Sequence, residues 1–88
     1  MNLLTSKISI MSLIIFEANK AYHLHGNLTG SNSEKVYSYF FNEIQNKTQV
    51  ILNLDNLNKV DIDGMITINA LVELAKKASK SFKIIGWA

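Results

Sequence analysis

The first part of the chain alternates apolar and polar residues in the way that β-strands do. Residues 8–16 are rich in isoleucine, leucine and phenylalanine, which predicts a strand. Residues 17–20 are polar and predict a turn, and residues 21–29 alternate well enough to predict a second strand. Tyr22 and Leu24 fall on one face of that second strand, and His23 and His25 fall on the other.

The pattern then changes to a helical period. Residues 30–34 form a loop in which Ser31 and Glu34 have the spacing of a capping box, so the helix is predicted to begin here and to end near Asn46. Apolar residues recur at intervals of three and four along this helix, which predicts one buried stripe. Its members are Val36, Tyr37, Phe40, Phe41 and Ile44.

The remainder of the chain repeats the order of strand and helix. Residues 49–54 are apolar on both faces near their start, which predicts an interior strand, and the polar residues 55–60 predict a connection outside the sheet. Residues 63–79 predict a second helix and residues 82–88 a last strand. The order β-β-α-β-α-β indicates an α/β domain with a small mixed sheet and both helices packed on one face.

The second helix divides into an apolar and a polar half. Its predicted core face consists of Met65, Ile68, Leu71, Val72, Leu74, Ala75 and Ala78. Asp63, Ile66, Thr67 and Ala70 lie at the border with the polar half. Single exposed apolar residues are common, but Ile66 beside the charge of Asp63 is also what a contact surface would present.

The two acids at the start of this helix have simple structural explanations. Asp61 is placed to accept hydrogen bonds from free N–H groups as an N-cap, and Asp63 in the first turn is favoured by the helix dipole. A hydrolase that uses both carboxylates is an alternative. The helical geometry opposes it, because Asp61 and Asp63 point about 200° apart.

Composition narrows the classes of function. The 88 residues form a single domain, 48% of them hydrophobic, with no cysteine, so disulfides and thiolate metal sites are excluded. The net charge is only +2 and the lysines are scattered, which argues against a nucleic-acid partner. No apolar run approaches the length of a membrane span, so we expect a cytoplasmic protein without direct membrane insertion.

The beginning of the chain has two interpretations. We interpret its apolar run as a strand rather than a signal peptide, because the run is short and Ser12 interrupts it. Residues 1–10 form either a disordered segment or an extension of the sheet, and Met11 is an alternative start.

No residues stand out as a catalytic, cofactor or metal site. His23 and His25 share a strand face, as metal ligands can, but no third ligand accompanies them, and we predict no metal. The chain has neither a Gly-x-Ser-x-Gly elbow nor a glycine-rich phosphate loop. We therefore predict a protein that is not an enzyme and needs no cofactor.

Short motifs in the second half of the chain resemble the STAS domain, the fold of anti-sigma factor antagonists. Residues 61–65, Asp-Ile-Asp-Gly-Met, match the Asp-Ser-Ser-Gly-Leu that opens a helix in this family, and Asn53-Leu54 matches its preceding Asp-Leu. Residues 26–29, Gly-Asn-Leu-Thr, match the family's Gly-Glu-Leu-Asp. The resemblance covers about residues 13–88.

The resemblance implies a regulatory domain that binds proteins. In anti-sigma factor antagonists the residue before the glycine is a Ser or Thr that a kinase partner phosphorylates, which switches binding. Here Asp63 precedes Gly64, and Ile62 occupies the other serine position. Two hypotheses follow: the fixed charge of Asp63 imitates a phosphorylated state, or a partner binds Asp63 directly through Lys or Arg.

Two further chemistries could operate near Asp63. Thr67, one helical turn on, is the nearest hydroxyl and a substitute phosphorylation site. An aspartyl-phosphate at Asp63 would need a magnesium-binding acid cluster, for which Asp55 and Asp61 are the candidates.

The partner implied by the resemblance is a protein, and its class stays open. The family's small residue after Leu is Ile66 here, which strengthens the case for an interface and weakens it for the usual anti-sigma factor or kinase partner. The alternative is an accessory STAS subunit that binds beside the ATPase of an ABC-type lipid transporter. STAS domains usually continue with another helix, so we also expect a second copy or a partner to cover apolar surface near Trp87.

Overall fold

A computed structural model describes residues 7–86 of the chain. It contains five strands and two helices: β1 (Lys7–Ile10), β2 (Leu13–Ala18), β3 (Ala21–Leu28), α1 (Ser33–Asn46), β4 (Gln49–Val60), α2 (Ile62–Lys77) and β5 (Ser81–Ile85). The strands form one sheet in the order β1-β2-β3-β4-β5. The pairs β1–β2 and β2–β3 are antiparallel, whereas β3–β4 and β4–β5 are parallel.

The predicted α/β class, with a mixed sheet and both helices on one face, is confirmed. Alternate residues of β2, β3 and β4 meet the buried stripes of α1 and α2 in one core. Val36, Phe40 and Ile44 of the predicted α1 stripe are buried, and so are Tyr22 and Leu24, which share one face of β3. Phe41, which was also predicted on that stripe, is exposed.

The predicted first strand is in fact a hairpin of two strands. Residues 11–12 form a turn between β1 and β2, and Met11 has a left-handed backbone with φ of 55°. The turn lies against Gly26, whose φ is +114°; a Cβ there would lie 2.2 Å from the carbonyl oxygen of Ser12. Asn27 donates its N–H to that same carbonyl at 2.9 Å, which fixes the turn on β3. Strand β2 continues to Ala18, so the next turn is shorter than predicted.

The prediction that residues 55–60 connect elements outside the sheet is wrong, because they extend β4. This half of β4 pairs with the second half of β3, for example Gly26 with Leu57 and Leu28 with Val60. Hydrogen bonding to a neighbouring strand holds these residues extended although their side chains are mostly polar. The extension carries the chain to the edge of the sheet at which α2 begins.

The predicted capping box at the start of α1 is also wrong. The N-cap residue is Asn32, and its side chain makes no capping bond to the helix. Instead Asn32 accepts a hydrogen bond from the N–H of Thr29 at 3.0 Å and donates one to the carbonyl of Asn27 at 2.8 Å. Ser31 pairs with the hydroxyl of Thr29. A buried amide therefore shapes the loop between β3 and α1.

The second helix begins at Ile62 and ends at Lys77, close to the prediction. Two of its side chains are placed differently: Met65, predicted in the core, is 43% exposed, whereas Thr67, predicted at the border, is 8% exposed. Neither helix within residues 7–86 is long and apolar enough to cross a bilayer. Strand β5 ends at Ile85, and the expectation about Trp87 lies outside the described residues.

Candidate functional site

The side chain of Asp61 joins two separate segments at the start of α2. As N-cap of the helix, it accepts a hydrogen bond at Oδ1 from the N–H of Gly64 at 2.9 Å. Its Oδ2 accepts a second bond from the N–H of Gly30, in the loop between β3 and α1, at 3.1 Å. These two N–H groups, Gly64 first, lower the pKa of the Asp61 carboxyl because they stabilise its charged form. Asp61 thus links the β3–α1 loop to α2, and we call this pair of hydrogen bonds the Asp61 clasp.

Two glycines, Gly64 and Gly30, allow the start of α2 to lie close to the end of β3 and to the β3–α1 loop. A Cβ at Gly64 would lie 2.4 Å from the carbonyl oxygen of Leu28, so only glycine lets α2 begin so close to the end of β3. A Cβ at Gly30 would lie 2.6 Å from Oδ2 of Asp63. The carboxylate of Asp63 therefore rests against the main chain of the β3–α1 loop.

Asp63 is the exposed acid of the site. It lies in the first turn of α2, and its side chain makes none of the ion pairs found among residues 7–86. Its neighbour Asp61 uses both carboxylate oxygens inside the molecule. The structure therefore gives the two acids different surroundings: Asp61 is bonded to the backbone and Asp63 is open to solvent.

Apolar side chains surround this exposed charge. Ile62 is 76% exposed and Ile66 is 59% exposed, and Met65 lies beside them on α2. Residues spaced by three and four along a helix are neighbours on its surface, so these three side chains form one apolar ridge. We call the four exposed residues Ile62, Asp63, Met65 and Ile66 the α2 tip. The sequence suggested three of them; Met65 was missed, because its apolarity fitted the core face equally well.

The other two residues predicted for this site are not on its surface. Gly64 is buried against β3, and Thr67 is buried in the packing of α2. A kinase could not reach the Thr67 hydroxyl in this conformation. Both residues therefore act from beneath the α2 tip by setting how α2 packs.

The remaining predicted groups lie elsewhere. Asp55 lies close to Gly86, and no cluster of three or more His, Asp or Glu side chains that could hold a metal occurs among residues 7–86. On the sheet face opposite the helices, the ring of His23 stacks on Phe16 with centroids 5.1 Å apart, and that of His25 lies 5.0 Å from the same ring. The two histidines thus pack around a phenylalanine.

A comparison with known protein families identifies the class of this α/β domain. The profile of the STAS domain matches residues 12–86. The chain belongs to the STAS domain family.

One solved structure with a similar fold is that of the anti-sigma factor antagonist SpoIIAA in its unphosphorylated form. The match has a TM-score of 0.66 and covers 97% of this chain and 74% of that chain. The sequences are 11% identical, so the similarity concerns the fold. Curated protein sequences gave no match.

Proposed function

We propose that this protein is a non-enzymatic regulatory module of the anti-sigma factor antagonist type, which binds a protein partner through the α2 tip. Membership of the STAS family supports the regulatory role. The exposure of Ile62 and Ile66 around Asp63, at the position where the family places its phosphorylated hydroxyl, supports the site. The module would act in the cytoplasm and use no cofactor.

The physical basis of the proposal is exposed apolar area on a rigid support. Burying an isoleucine side chain contributes roughly 1.5–3 kcal/mol, and the ridge offers two isoleucines that solvent now surrounds. The support is rigid because the Asp61 clasp and the close contact at Gly64 fix the start of α2 on the sheet. Preorganised apolar anchors of this kind lower the entropic cost of association.

A fixed charge distinguishes the module from a reversible switch. Asp63 carries about one negative charge at neutral pH and has no hydroxyl, so it cannot be phosphorylated as serine is. Binding at the α2 tip would therefore be set by the amount of partner or by the partner's own state.

Capture of partners from extracts of the source cells tests this function. Wild-type protein is compared with Ile62→Ala and Ile66→Ala, each of which truncates one side chain of the ridge while favouring the helix. Bound proteins are quantified by mass spectrometry, and their identity decides between an anti-sigma factor or kinase and an ABC ATPase.

The matched control is Ile85→Ala, which shortens an isoleucine that is 45% exposed on β5. We expect Ile62→Ala and Ile66→Ala to lose the same captured protein and Ile85→Ala to retain it. Equal capture by all four proteins would show that the α2 tip is not the interface.

A further inference from the structure

We propose that Asp63 is an attractive docking contact, and that the protein partner carries a lysine or arginine at the rim of an apolar groove. This inference rests on the proposed function, because it assigns the partner chemistry for the same α2 tip.

The first observation is that the Asp63 carboxylate lies against the backbone of the β3–α1 loop. Asp61 fixes Gly30 through a hydrogen bond to its N–H, and Gly30 in turn leaves room for Oδ2 of Asp63 where any side chain would intrude. Oδ2 therefore rests against a main chain that is itself anchored to α2. The loop backbone therefore occupies one side of the carboxylate, and a partner group can approach it from the exposed side.

The second observation is that this charge has no partner within the described part of the chain. The ion pairs among residues 7–86 involve Lys47, which pairs with Glu17 and Glu43, and Lys76, which pairs with Glu73. Asp63 lies outside all of them. If an apolar surface covered the α2 tip, it would desolvate this carboxylate without compensation, which is strongly unfavourable.

The third observation is the arrangement of charge and apolar area. Ile62 and Ile66 lie one turn apart on the same side of α2, and Asp63 lies beside them in the first turn. A helix that presents apolar side chains at this spacing fits an apolar groove. A cation at the rim of that groove would meet Asp63 when the isoleucines enter it, which fixes the register of the complex.

The inference differs from the hypothesis that Asp63 imitates a phosphate and prevents binding. If Asp63 repels the partner, only the sign of its charge matters. Asp63→Asn should then strengthen binding, and Asp63→Glu or Gly30→Ala should change binding little. If Asp63 attracts a cation of the partner, both the sign and the position of its charge matter. All three substitutions should then weaken binding, because Gly30→Ala displaces the carboxylate without removing it.

Two defined peptides test the inference. Both are designed helical hairpins with the same leucine-lined groove between their helices; arginines flank this groove in one, and glutamates replace them in the other. Each is titrated into the isotopically labelled full-length chain while the methyl resonances of Ile62 and Ile66 are followed. We expect the arginine peptide to bind at the α2 tip about tenfold more tightly than its twin, with a preference that falls as salt is raised.

Variants make the test specific to Asp63. Asp63→Asn should remove the preference, Asp63→Lys should reverse it, and Gly30→Ala should reduce it. The matched control is Glu73→Gln, which removes an exposed acid from the same helix and should leave the preference intact. Equal binding of the two peptides, no binding of either, or an equal effect of Glu73→Gln and Asp63→Asn would overturn the inference.

A separate experiment, capture of the natural partner, tests the proposed function. If capture depends on Ile66 but is strengthened by Asp63→Asn, the proposed function stands and this inference is overturned. If capture does not depend on Ile66, the proposed function itself fails.

Discussion

Gly30 lies directly against the carboxylate of Asp63, so that a Cβ at residue 30 would be 2.6 Å from Asp63 Oδ2. The two residues belong to different segments, the β3–α1 loop and the first turn of α2. Asp61 holds these segments together by accepting from Gly30 and Gly64. The loop and the α2 tip therefore form one continuous surface.

Alanine at the two glycines should have unequal consequences for stability. Gly64→Ala places a Cβ 2.4 Å from the Leu28 carbonyl, where backbone must move, so we expect a loss of about 1–3 kcal/mol. Gly30→Ala meets only the far end of the Asp63 side chain, which can rotate away, and we expect a change below about 0.5 kcal/mol. Urea unfolding of both variants measures this. Similar losses for the two would contradict the described packing.

The Asp61 clasp should make stability depend on acid pH. Because the folded pKa of Asp61 is lowered, its contribution is complete above the ordinary carboxyl value of about 4 and is lost as the pH falls below it. Asp61→Asn retains one acceptor oxygen but turns an amide towards Gly30, so it should lower the melting temperature at pH 7. It should also lose less stability than wild type between pH 5 and pH 3.

The control for this experiment is Asp63→Asn, which leaves both hydrogen bonds of Asp61 in place. It should still lose stability between pH 5 and pH 3. An Asp61→Asn variant with the wild-type acid dependence would show that the clasp does not form in solution.

Lys80, which lies between α2 and β5, should stabilise the C-terminal end of α1. Its Nζ donates to the carbonyls of Ile44, Gln45 and Lys47 at 3.0, 3.2 and 2.8 Å, and the last turn of α1 has no basic residue of its own. Lys80→Met should cost about 1–2 kcal/mol in chemical unfolding. Lys77→Met removes the same charge from an exposed side chain without hydrogen bonds in residues 7–86, and should change stability by less than about 0.5 kcal/mol.

Tyr22 should contribute stability that is lost in alkali. Its hydroxyl donates to Glu43 and accepts from Lys47, and burial, followed by the bond to Glu43, raises its pKa above the ordinary value. A raised folded pKa stabilises the protein below about pH 10 and ceases to do so as the pH rises further. Tyr22→Phe should therefore cost about 1 kcal/mol at pH 7 and show a shallower decline of stability in alkali. A variant as stable as wild type at pH 7 would contradict this network.

The sequence predicted those parts of the fold that side-chain periodicity controls. The stripe of Val36, Phe40 and Ile44 identified α1, and the alternation around Tyr22 and Leu24 separated the two faces of β3. The polar half of β4 escaped prediction because pairing with β3, rather than its own side chains, keeps it extended. The β1–β2 turn escaped because methionine rarely adopts the left-handed backbone that Met11 has, and because the turn depends on Gly26 for its place.

In the candidate site, too, local features could be predicted from the sequence and long-range contacts could not. An acid at the Asp61 position before a helix predicts an N-cap, since capping involves residues close in sequence. The second bond, to Gly30, joins segments that only the folded sheet brings together. Met65 was placed in the core because an apolar helix flank does not reveal how far the neighbouring elements extend over it.

Photo-crosslinking in the source cells tests the central claim, that the α2 tip is the surface at which a partner binds. p-Benzoylphenylalanine is placed at residue 66 on the α2 tip and, in a second protein, at residue 14 on the opposite sheet face. We predict that residue 66 crosslinks to one partner protein and that residue 14 does not. Crosslinking from residue 14 alone, or from neither residue, would contradict the claim.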